Sequence, residues 1–116
     1  MRHGTERRVR RTQDKQQAMN WFLQSRLLRQ GLRGLVLGSR EGLVVAAAGD
    51  GVCPEAAAAF APFVFHDDWD FPEPVEEAYF VDAVPLPDTT LYLFAVGRSG
   101  ASAQATKTGI RRILQE

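Results

Sequence analysis

Apolar and polar positions alternate along this chain with two different periods, and the changes of period mark out its elements. From about Asp14 to Gln30 the period is helical. Ala18, Trp21, Phe22, Ser25 and Leu28 fall at i, i+3, i+4, i+7 and i+10, and Leu23 and Leu27 broaden the stripe. Arg26, Arg29 and Gln30 lie toward the polar side, and Gly31 follows the last periodic residue, where a left-handed C-cap favours glycine. Two short runs rich in Val and Leu come next, "LRGLVLG" and "GLVVAAA", separated by "SREG". They predict a tight hairpin, with Gly42 supplying the positive φ of its turn. "GDG" at 49–51 closes the second strand.

A second helix is predicted from Pro54, with Glu55 in its first turn and Ala57, Phe60, Ala61 and Val64 at helical spacing. Pro62 predicts that this helix either ends near Ala61 or kinks there. Residues 65–77, "FHDDWDFPEPVEE", read as an irregular acidic loop with embedded aromatics. "AYFVDAVPL" and "TLYLFAV" are strands joined by a turn at "PDT". A last helix from about Ala101 places Ala103, Thr106, Ile110, Ile113 and Leu114 on one side and Arg111 and Arg112 near its C-terminus. The expected fold is α+β: an antiparallel sheet of four to five strands with helices on both faces, in the order α-β-β-α-(β)-β-β-α. The domain spans 14–116, after a disordered basic arm at 1–13.

Charge alters this picture more than composition does. Formal net charge is zero over 116 residues. Yet residues 1–40 hold ten Lys/Arg against two acidic residues, whereas 41–97 hold eleven Asp/Glu and no Lys or Arg. Once folded, such blocks give surfaces of opposite sign that steer association with another protein or a second copy. The basic arm has no interleaved aromatics and predicts no nucleic-acid partner. No apolar run approaches the roughly 20 residues that span a bilayer, so no membrane insertion is expected. The basic N-terminus lacks the apolar core of a secretory signal and Cys53 is the single cysteine, so the expected location is cytoplasmic.

The glycines at 31–51 do not form a phosphate cradle. Neither G-x-x-x-x-G-K-[ST] nor G-x-G-x-x-G is present, and no lysine follows in the region. "HDDWD" (66–70) concentrates carboxylates but lacks the spacing of a calcium loop. "GRSG" (97–100) is not a nucleophile elbow, and Cys53 reads as a small structural thiol. No catalytic, cofactor or metal set emerges, and the expectation is a non-enzyme. Asp67, Asp68, Trp69, Asp70 and Phe71 are instead candidates for partner docking, as aromatic anchors with a charged rim.

"LRGLVLGSREGLVVAAAGDG", the Pro-Glu-Ala-rich helix after it, "LYLFAVG" and "TGIRRIL" resemble, in order, the elements of Roadblock (dynein-light-chain type) domains over roughly 16–116. The resemblance implies a non-enzymatic α+β module that dimerises through its middle helix and an edge strand. It also implies a scaffold or regulator of Ras-like small GTPases, in bacteria serving motility and cell polarity. On that pattern Ala57, Phe60, Ala61 and Val64 would form the dimer interface, with a second copy or a Roadblock paralogue opposite. The family's third strand should fall where the acidic segment stands, so either a short strand lies near 64–66 or that strand is missing. The other reading of the residues is a longin- or profilin-like adaptor that binds a different protein through the loop 65–77; an enzyme reading would rest on His66 and the aspartates.

Overall fold

The computed structural model describes residues 3–73, 78–97 and 103–115, with side chains from 14 onward and from 104 in the last segment. The element order is α1 (His3–Gln30), β1 (Gly34–Gly38), β2 (Val44–Gly49), α2 (Pro54–Asp67), β3 (Tyr79–Pro85), β4 (Thr90–Val96) and α3 (Ala103–Gln115). Among the described residues the four strands form one antiparallel sheet in the order β2-β1-β4-β3. The expected α+β class and antiparallel sheet are therefore present. Residues 74–77 of the expected acidic loop, and 98–102 before the last helix, lie outside the described residues.

Both hairpins form where the turn chemistry placed them. In the first, the Gly42 N–H donates to the Ser39 carbonyl at 3.0 Å and the Ser39 N–H to the Leu43 carbonyl at 2.8 Å. The Leu43 N–H also donates to Ser39 Oγ at 3.1 Å. Gly42 has φ +87, a conformation that a Cβ would strain.

The central strands β1 and β4 are buried on both sides. Their alternate residues feed two separate cores. Leu35, Leu37, Leu91, Leu93 and Ala95 face α1 and α3, where they meet Met19, Leu23, Leu27 and Ile110. Val36, Tyr92, Phe94 and Val96 face α2, where they meet Ala57, Ala58, Ala61 and Phe71. The sheet is thus a partition, with two helices on one side and one on the other.

Helix α1 differs from expectation in extent and in phase. Its backbone is helical from His3, where an irregular arm was expected. Its core-facing residues are Met19, Leu23 and Leu27 with Phe22 beside them, while Trp21 and Leu28, placed on the apolar stripe, are 77% and 71% exposed. Ala18 and Ser25 are exposed too. The physical reason is Arg26, which lies half-buried on the packed side. Its Nε donates to the Thr106 hydroxyl at 3.3 Å, and Gln30 Nε2 reaches the same oxygen at 3.4 Å. A polar trio thus joins α1 to α3 within an otherwise apolar contact. On α3 itself, Thr106 and Ile110 are buried and Ile113 and Leu114 partly so, on the side expected.

Helix α2 does not stop at Pro62. It continues to Asp67, so Val64–His66 are helical and hold no strand. Pro62 cannot donate to the Ala58 carbonyl, a lost bond that the surrounding packing tolerates. The helix ends at Asp68, the one described non-glycine residue with positive φ, at 54°. The Trp69 N–H then turns back to the Phe63 carbonyl at 3.4 Å, closing the helix in the manner of a Schellman cap.

The two sheet edges differ. On the β2 side, Gln16 Nε2 of α1 donates to the Val45 carbonyl at 2.7 Å. On the β3 side, Tyr79–Pro85 pairs with β4 alone among the described residues.

Candidate interaction surface at the end of α2

The left-handed turn at Asp68 folds the chain back over the last turns of α2, and this local geometry builds the surface. It lays the Trp69 ring on Phe63, with centroids 4.9 Å apart and planes at 20°. Trp69 remains 52% exposed, Phe63 43% and Phe65 41%. Phe65 stands beside Tyr92, at 5.9 Å between centroids, and His66 Nε2 and the Tyr92 hydroxyl share a hydrogen bond of 2.6 Å. Tyr92 is almost fully buried, so this bond fixes the end of α2 to the middle of β4.

Phe71 has a different part. Expected as a docking residue, it is 7% exposed. Its ring packs edge-on against Phe94 at 4.9 Å, Tyr79 at 6.0 Å and Phe60 at 6.1 Å. Its N–H donates to the Tyr79 hydroxyl at 2.8 Å. Phe71 is the anchor that ends the exposed loop, and it is closed to a partner. Asp67, Asp68, Trp69 and Asp70, the other docking candidates, are all exposed, and Glu73 extends the acidic rim.

The expected dimer-interface set is divided in the same way. Ala57 and Ala61 are 0% and 1% exposed, because they rest on this chain's own sheet. Phe60 and Val64 are half-buried. The outward side of α2 is instead carried by Ala59 and Phe63. Sequence reasoning missed Phe63, whose importance comes from the turn that brings a residue six positions later onto it.

Electrostatically, the segment that builds the surface is acidic. The rim carries four carboxylates, and no Lys or Arg occurs anywhere in 41–97. Among the described residues no three His, Cys, Asp or Glu side chains converge as a metal site would require. Cys53, the helix N-cap, is exposed with its Sγ 3.4 Å from Glu55 Oε2. An exposed aromatic stack with carboxylates beside it has the make-up of surfaces that bury a partner's apolar and basic side chains. Among the described residues no helix is long and apolar enough to cross a membrane. Compared with known proteins, the chain matches no family model, no curated protein and no solved structure.

Proposed function

We propose that this chain is a non-enzymatic interaction module whose docking surface is the acid-rimmed aromatic patch at the end of α2. The observation that carries this reading is the Phe63–Trp69 stack. Two large rings lie in van der Waals contact, half open to water, on a face with no basic residue of its own chain segment. Exposed aromatic groups of this kind mark interaction sites.

The finer reading is a Roadblock-type scaffold that serves a Ras-like small GTPase or its regulator, with copies paired through the outer edge of β3. The order of helices and strands supports it, as does the β3 edge, which pairs with β4 alone among the described residues, since unpaired strand edges are templates for pairing. The pairing would not use Ala57 and Ala61, which are occupied within the monomer. A longin- or profilin-like adaptor is the alternative, and the acidic patch supports it equally, because it requires only a basic partner.

The test is a photo-reactive amino acid placed at position 69 of the full chain in cells, with exposed Asp88 as the control position. A discrete adduct at 69 is expected, identified by mass spectrometry as a Ras-like GTPase, its regulator or a further copy of this chain. Adducts from other adaptor clients would favour the alternative. Equal labelling at 69 and 88 would remove the patch as a docking surface.

A further inference from the structure

The outward face of α1 also holds large apolar side chains in water. Trp21 and Leu28 are 77% and 71% exposed. Seven residues apart, they sit two turns from each other on one face, with Ala18 and Ser25 beside them. The opposite face of the helix fills the core through Met19, Leu23 and Leu27, so the Trp21–Leu28 face has no partner among the described residues. The sign of the helix restricts what can cover it. Along its sequence the helix holds seven Lys/Arg against two acidic residues. Of those whose side chains are described, Lys15 and Arg29, next to Leu28, are exposed with Asp14, while Arg26 turns to the packed side. Two such helices placed face to face would repel, since like-charge juxtaposition opposes association. The fitting occupant is apolar and acidic.

This chain carries such a surface, the Phe63–Trp69 patch with Asp67, Asp68 and Asp70 around it. The two surfaces lie on opposite sides of the sheet, one with α1 and α3 and the other with α2. They cannot meet within one molecule, and each is open to a different copy. We propose that copies associate head to tail, with the Trp21–Leu28 face of α1 in one seated on the Phe63–Trp69 patch of the next. The contact is heterologous, so it repeats where a two-fold contact would close. The inference rests on the patch being a docking surface and names its occupant, leaving the β3 edge to a separate contact.

Sedimentation of the full chain over a range of concentrations tests it. At low salt the weight-average mass is expected to rise with concentration. The rise should be lost near 1 M salt, where the Debye length falls to about 3 Å. Trp21→Glu and Trp69→Lys should each lose the rise, and a mixture of the two should regain association, because together they hold one intact face and one intact patch. Leu28→Glu and Phe63→Lys repeat the experiment at a second pair of exposed positions, and matched circular dichroism and melting curves confirm that the variants fold. A mass that does not change with concentration overturns the proposal. So does Trp69→Lys assembling like the parent, which would assign the contact to paired α1 helices, or a mixture that stays at the separate masses. A position-69 adduct with a Ras-like GTPase in a chain that does not self-assemble would overturn this inference and leave the docking reading standing.

Discussion

Gly109 of α3 faces the tip of the Phe22 ring of α1, so close that a Cβ built at Gly109 would run into its Cζ and Cε atoms. A glycine inside a helix ordinarily costs about 1 kcal/mol relative to alanine. Here it is what lets the two helices approach. Gly109→Ala is expected to destabilise the fold by about 1–2 kcal/mol, since overpacking of about 1–3 kcal/mol outweighs the gain in propensity. Adding Phe22→Leu should restore most of the loss, read as the midpoint of urea unfolding.

Ala61→Glu would place a carboxylate against the α2-side core, where Ala61 is 1% exposed. An uncompensated buried charge costs about 3–5 kcal/mol. The expected result is loss of the folded monomer, seen in near-ultraviolet circular dichroism, and not a folded chain that has merely stopped pairing. Ala59→Glu, on the exposed side of α2, should fold normally.

Lys107 Nζ lies 3.1 Å from Asp82 Oδ2, tying α3 to β3 across the sheet face. The other carboxylate oxygen, Oδ1, accepts the Ala83 N–H at 2.9 Å. The lysine side chain is 15% exposed and the aspartate 35%, so solvent screens the pair in part. Lys107→Met should cost about 1 kcal/mol, near the upper end for exposed pairs. A double-mutant cycle with Asp82→Asn measures the coupling.

Tyr92→Phe removes the hydroxyl that His66 engages at 2.6 Å and leaves the ring packing in place. The expected loss of global stability is about 0.5–1.5 kcal/mol. The more telling readout is local. Amide exchange should quicken in the last turn of α2, around His66 and Asp67, and leave β1 and β4 unchanged.

How much of this was legible in the sequence depended on whether a residue's type carried phase information. Glycine at 42 and the Val/Leu runs beside it specified a turn and two strands, because few other backbones accept that combination. The phase of α2 was harder to read. Residues 56–59 are four consecutive alanines, which look the same from every side of a helix, so Phe60 and Val64 took undue weight in choosing its faces. In α1 the obstacle was Arg26, a charged residue on the packed side whose hydrogen bond to Thr106 spans 80 positions of sequence. Its presence made the true inner face look polar and rotated the expected stripe onto Trp21 and Leu28. The docking patch was half legible. Its carboxylates and Trp69 were visible as a cluster, whereas Phe63 joined them through one left-handed residue, Asp68, whose conformation no spacing rule announces.

The single amide that Gln16 extends to Val45 has a consequence for how the sheet can grow. It engages one carbonyl of the β2 border, while the β3 border, Tyr79–Pro85, pairs with β4 alone among the described residues. A strand arriving at the β2 border competes with that amide for one acceptor, whereas one arriving at Tyr79–Pro85 meets no such competitor among the described residues. In-plane addition is thereby biased toward one margin, a restraint on the lateral growth that builds fibrils.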